Sequence, residues 1–333
     1  MWNRRPHADG TRPLEGARRR RLRIGSIFGL IVALVGFLEA GPAQAWSGIY
    51  WDNDIGDQAP TDPNSDSIIA FIEADSTTNY VVLSGTAQSG RWGTPVYVAN
   101  DGDPTYSVVN SCRSHQPPEF ASVRIPVGAQ PDPTSDASMV VIDPGEGLEY
   151  GLWRTSYDPV TDQWSSCGGS VYYLASNELA GTLKQSNERR NYGHRGIPPD
   201  ILAVTWQEVQ GGGIDHMLRI AVNTTKCKHV FPMSGDECGT TAQYAPPEGA
   251  VIRIKQSVDL GSLGLSAPAL VIAEALQRYG AVIGDQSGGP VEIKVENTVA
   301  EGRGWLWKGV LSSASLSKIP LSSFEIVKLG YGS

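Results

Sequence analysis

From about residue 80 onward the polar/apolar pattern is a run of short strand signals. Segments YVVLS (80–84), PVYVA (95–99), TYSVV (105–109), SVRIPV (122–127) and SMVVI (138–142) are followed by LEYGLW (148–153), SVYYLA (170–175), HMLRIAV (216–222), VIRIKQSV (251–258) and VEIKV (291–295). Each is rich in β-branched or aromatic residues, and most are bounded by Gly, Pro, Asp or Asn, which is how strands and their turns read in sequence. So many short runs, with no repeat period and no break in composition, predict an all-β fold: one β-sandwich or jelly roll over residues 46–333. One helix stands out over about 266–279. Ser266 can cap it, Pro268 suits its first turn, Ile272, Leu276 and Tyr279 share a face, and Gly280 can end it. Residues 46–79 are rich in Asp, Pro, Asn and Ser, with one apolar patch at 68–72, and read as an irregular segment wrapping the surface.

The N-terminus changes the compartment. Arg18 to Arg21 and Arg23 precede an apolar run from Ile24 to Leu38 and then Ala43-Gln44-Ala45. That order is a signal peptide with cleavage after Ala45, and the apolar run is short of the roughly 20 residues a membrane span needs. The protein is therefore expected outside the cell or in the cell envelope, free of the membrane after cleavage. Removing residues 1–45 takes eight arginines and three acids from 27 basic and 35 acidic residues, leaving 19 and 32 and a net charge of −13. Such a surface repels phosphate backbones, so nucleic acid is not an expected partner. Nothing in the pattern calls for an oligomer, and a monomer is expected.

All four cysteines, Cys112, Cys167, Cys227 and Cys238, lie after the signal. An even count in an oxidising compartment predicts two disulfides. Of the three pairings, Cys227 with Cys238 and Cys112 with Cys167 are favoured. No CxxC spacing supports zinc. The acid clusters DNDIGD (Asp52, Asp54, Asp57) and NDGD (Asn100, Asp101, Asp103) leave structural calcium open, although neither has a dedicated calcium loop, and no other cofactor is expected.

Candidate chemistry follows from side-chain alternation. In IDHMLRIAV, Asp215 and His216 point to opposite faces of a strand, which rules out a dyad between neighbours. His216 is then either a general acid or base on a cleft floor or a core-edge imidazole bonded to backbone. In VIRIKQSV, Arg253 and Lys255 share a face, suited to gripping a carboxylated or sulfated glycan, or else simply solvated. Loop SNERRNYGHRGIPPD offers Arg190, Tyr192 and His194 as a sugar-binding cluster, and Trp305 of WLW, alongside Trp307, could stack on a sugar ring. Glycoside hydrolysis needs two carboxyl groups, and Glu149 with Asp285 is the pair chosen here. The string GDQSGGPV (284–291) approaches a serine-protease nucleophile segment, but Gln286 displaces Ser287 and no histidine segment lies upstream, so it reads as a Gly-rich turn.

Four stretches, SDASMVVIDPGEGLEYGLW, GHRGIPPDILAVTWQEVQGGGIDHMLRIAV, PPEGAVIRIKQSVDL and ALQRYGAVIGDQSG, span about 135–291. In kind and order they resemble a family of secreted actinobacterial-type proteins similar to lectin- and glucanase-like β-sandwiches. The resemblance implies secretion and fold and carries no active site with it. The expected function is carbohydrate handling outside the cell: a glycoside hydrolase or polysaccharide lyase acting on an extracellular or cell-wall glycan. A non-catalytic glycan-binding or envelope protein is the alternative.

Overall fold

The computed structural model describes residues 50–56, 58–112, 117–174 and 195–332, and strands dominate it. The largest sheet has six strands: β1 (Val82–Ser84), β11 (Leu218–Val222), β12 (Val251–Ile254), β13 (Ala281–Gln286), β14 (Glu292–Lys294) and β15 (Phe324–Ile326), in the order β1-β14-β11-β13-β12-β15. A second sheet orders β10 (Gly168–Tyr173), β7 (Leu148–Trp153), β6 (Met139–Asp143) and β2 (Val96–Val98). Two small sheets complete the set: β3 (Thr105–Tyr106) with β5 (Val123–Arg124), and β4 (Val108–Asn110) with β9 (Gln163–Ser166) and β8 (Ser156–Asp158).

The sheets are mixed. β11 and β13 run parallel, as do β1 and β14, β2 and β6, and β4 and β9. Parallel neighbours need a long crossover. Between β11 and β13 it contains β12 and helix α3 (Ala267–Arg278), which Ser266 caps by accepting from the Ala269 N–H, matching the helix expected there. Two further α-helices among the described residues were not foreseen. The apolar patch in the N-terminal segment is α1 (Ser65–Asp75), where Ile68 and Ile72 fall one turn apart with Ile69 beside them and bury one stripe. The other, α2 (Trp206–Gly211), starts at a capping box in which Thr205 and Glu208 exchange bonds and ends at Gly212 in the left-handed conformation.

Strand β6 divides the interior. Val140 and Ile142 join the main core around the six-stranded sheet, whereas Met139 and Val141 join a second core with Phe120, Tyr150, Leu152 and Trp164. Strands β6, β11 and β12 are buried at every position because both faces are covered. Gly284 of β13 shows how tight that layering is: a Cβ there would strike the end of the Ile197 side chain. Gly284→Ala is expected to cost about 1–3 kcal/mol of unfolding free energy, the range for overpacking. Urea titration measures it, and Ile197→Val in the same chain should recover part of the loss.

Both disulfides join the favoured partners, Cys112 to Cys167 and Cys227 to Cys238, and no cysteine is left free. No described helix is long and apolar enough to cross a membrane.

Candidate active site

Residues of the six-stranded and four-stranded sheets and their loops line an open cavity of about 760 Å³, within the range that holds small ligands. Its floor is charged. Arg219 on β11 has a side chain only 2 % exposed and is ion-paired with Asp285 at the end of β13. Its Nε is buried with no hydrogen-bond partner. Burial holds the Arg219 guanidinium below its usual value, and the nearby charges of Glu292, Glu237, Asp136 and Glu248 oppose that shift. Lys294 of β14 is likewise pushed down, first by burial and then by the charge of Arg219, and donates to Asp136 Oδ2 at 3.3 Å.

Register places the acids. Ala221 of β11 pairs with Glu292 on one side and Asp285 on the other, so the two carboxylates flank one strand. Strands two apart in a sheet stand about 10 Å apart. Arg219 sits on β11 two residues before Ala221, and the register shift after Ile220 helps turn Asp285 into the cavity beside it. Ser84, at the end of β1, donates its hydroxyl to Glu292. On the far rim Arg195 binds Glu248 at 2.9 Å and Glu237 at 3.1 Å. Glu237 adjoins the Cys227–Cys238 disulfide and accepts the Gln286 N–H at 3.0 Å, so the covalent staple fixes one wall of the cavity. Trp92 and Trp153 supply aromatic wall, Trp92 being 41 % exposed.

The residues singled out from sequence are dispersed. Asp285 lines this cavity; Glu149 does not pair with it. Glu149 is fully buried on β7 and lies against Asp200, accepting that residue's N–H at 3.4 Å. Burial, then the charge of Asp200, pushes the Glu149 carboxyl well above its usual range. Arg253 is no free cation: it donates to Glu325 at 2.8 Å and to the carbonyls of Ile55, Gly56 and Ala59. The N-terminal segment covers the face that alternation left open to solvent. Lys255 follows the end of β12 and donates to Ser322 O at 2.8 Å. His216 precedes β11 and lines a second cavity, so Arg253, Lys255 and His216 do not converge, and the lyase reading loses its constellation. WLW forms turns instead of a strand, which removes the same-face argument. Trp305 donates to Thr86 O and Trp307, buried, to Glu296 O. Arg190, Tyr192 and His194, like Asp57, lie outside the described residues. Among the described residues no three His, Cys, Asp or Glu side chains are placed to hold a metal ion.

His216 makes the backbone bond expected of a core-edge imidazole and adds a carboxylate partner. Nδ1 donates to the Met217 carbonyl at 2.9 Å and Nε2 to Glu208 Oε1 at 2.5 Å, so both ring nitrogens are donors and the ring is an imidazolium. Burial disfavours that charge, but the Glu208 carboxylate outweighs it and raises His216 to about 9. The pair contributes its full stability below about pH 6.5, and loses it as pH rises through about 9, because over that window the folded chain holds a proton the unfolded chain has released. The expected decline is about 3 kcal/mol at 1.36 kcal/mol per unit. Denaturant titrations from pH 6 to 10 should show it, and His216→Gln should flatten that part of the curve.

Sequence reading missed Arg219, Glu292, Lys294 and Asp136. A signal existed in VEIKV, where Glu292 and Lys294 alternate with three apolar residues that are all buried. The chain matches no family model, no curated protein and no solved structure.

Proposed function

We propose that this chain is a secreted carbohydrate-active enzyme of sandwich-like architecture, a glycoside hydrolase working between its two larger sheets. The observation that carries this reading is the pair Asp285 and Glu292, facing one cavity across β11 with Arg219 between them. A Cα spacing of about 10 Å lets carboxyl groups stand at the roughly 6.5–9.5 Å that leaves room for a water between base and sugar. Asp285, ion-paired to Arg219, is the base that takes a proton from that water. Glu292, which accepts the Ser84 hydroxyl, is the acid of the pair: once substrate covers it, it takes up a proton from solvent and passes it to the leaving glycosidic oxygen. Buried cations and partly exposed carboxylates that already satisfy one another suit a neutral ligand rich in hydroxyls, each hydroxyl donating to an acid and accepting from Arg219 or Lys294. Trp92 and Trp153 give a sugar ring an apolar face to stack on. Export from the cytoplasm is part of the same reading, and the two disulfides are compatible with it.

The test is release of reducing ends from a panel of neutral and cell-wall polysaccharides by the purified protein. Product on at least one substrate is expected. Glycan binding without product on any of them would replace hydrolysis with the non-catalytic reading.

A further inference from the structure

Trp92 and Trp153 line the candidate active-site cavity, and each has an exposed arginine as its chain neighbour, Arg91 and Arg154. These two arginines differ from the others in their pairing. Arg124, Arg195, Arg219, Arg253, Arg278 and Arg303 each form an ion pair with a carboxylate, whereas Arg91 and Arg154 have no such partner among the described residues. Arg154 is also held in place. Its guanidinium carbon lies 4.4 Å from the centroid of the Trp153 ring, over one of the ring's two faces. Its backbone N–H donates to Asp136 O at 2.7 Å and that of Thr155 to Ala137 O at 3.0 Å, which ties the turn between β7 and β8 to a segment of the cavity wall. Both Arg154 (φ 48°) and Trp92 (φ 68°) sit in the left-handed region that favours glycine, so each side chain is presented from a turn that glycine would adopt more easily. A guanidinium stacked on an indole uses its flat face, while its N–H donors point outward in the plane and stay available.

We propose that Arg154, with Arg91 as a second arm, grips the carboxylate of an acidic sugar unit at the rim of this cavity, so that the polymer bound there is an acidic glycan. The inference rests on the hydrolase reading for the cut and adds the class of substrate. Floor and rim suit different groups. On the floor Arg219 and Lys294 are ion-paired with Asp285 and Asp136, and a neutral, hydroxyl-bearing unit fits there. On the rim a guanidinium without a carboxylate partner presents parallel N–H groups, the match of a planar carboxylate. A uronic acid, or a sugar carrying its carboxylate on an ether arm, supplies that group on the unit next to the one held on the floor. The chain as a whole is acidic and works against any anion, so a preference for an acidic sugar has to come from cations close to the ligand.

The probes are methyl β-D-glucuronide and methyl β-D-glucoside, which differ only in a carboxylate replacing a hydroxymethyl group, titrated into the secreted chain and followed by NMR of the Trp92 and Trp153 indole N–H signals. N-acetylmuramic acid against N-acetylglucosamine forms a second arm, in which the carboxylate sits on a lactyl ether. Binding about tenfold tighter to the acid than to its neutral counterpart is expected in at least one arm, the contribution of one charge-assisted contact, and the arm that shows it identifies the source of the carboxylate. Arg154→Gln should bring the acid down to the affinity of the neutral sugar, and Arg91→Gln should reduce the preference by a smaller factor. Arg154 is exposed and holds no buried ion pair, so its variant is expected to keep the fold, which spectral dispersion checks. No preference for the acid in either arm, or a preference that survives in the Arg154→Gln chain, would overturn the proposal. Release of reducing ends reads the hydrolase assignment separately. An enzyme that cuts without this preference loses only the acidic-glycan inference, and a chain that prefers the acid and releases no ends keeps the rim site and loses the hydrolysis.

Discussion

Asp285→Asn is expected to lower hydrolysis by about 10²–10⁴-fold, the usual contribution of a positioned general base, with little change in KM. The side chain keeps its volume and one acceptor oxygen, so Arg219 retains a partner on β13 and the cavity keeps its shape. Only the ability to take a proton is lost. Glu292→Gln should cost a similar factor, and less on substrates with an activated leaving group, because such a group leaves without protonation. That difference separates the two roles. A folded Asp285→Asn chain with undiminished rate would remove Asp285 from the chemistry. Equal losses on activated and unactivated substrates would remove Glu292 from the acid role.

Arg219→Met carries the largest expected effect on stability. The guanidinium is almost wholly buried and answers to Asp285, with Glu292, Glu237, Asp136 and Glu248 close enough to feel its charge. Removing one partner of a wholly buried pair costs about 3–5 kcal/mol; here the Asp285 left behind has a side chain 26 % exposed, so water compensates part of its charge and a loss near the lower end, about 3 kcal/mol, is expected. The double change Arg219→Met with Asp285→Asn should therefore be more stable than Arg219→Met alone. A double-mutant cycle by urea unfolding measures this coupling. Additive losses would mean that Asp285 is not the partner that matters.

The stretches that became strands were legible because period-two alternation and turn residues report local geometry directly. VEIKV and HMLRIAV hold strands within the expected bounds, and the strand of SMVVI is shifted by one residue, to Met139–Asp143. The α3 helix was legible for the same reason, from Ser266, Pro268 and its apolar stripe. Alternation says which side chains share a face; it says nothing about what covers that face. Arg253 and Lys255 were placed together by the pattern and then separated in fate, because the carbonyls of Ile55, Gly56 and Ala59 close over Arg253 while Lys255 lies beyond the strand end. Glu149 was recognised as a candidate acid, but its partner Asp200 lies 51 residues away and no local pattern joins them. The cavity itself depends on pairing between strands far apart in sequence. Asp285 was visible as an acid at a strand end, whereas Glu292 becomes its partner only through the two-sided pairing of Ala221. The cysteines succeeded where the acids did not. Pairing the two nearest in sequence left only one choice for the other two.

The separation of the two carboxylates across β11 makes a stereochemical commitment, since a water must attack from the face opposite the leaving oxygen. Proton NMR of the first product formed on a hydrolysed substrate reads the anomeric configuration before mutarotation blurs it. Inverted product is the result the proposed base and acid predict; retained configuration would mean a covalent nucleophile in place of a base and would contradict the assignment of Asp285 and Glu292 to those roles.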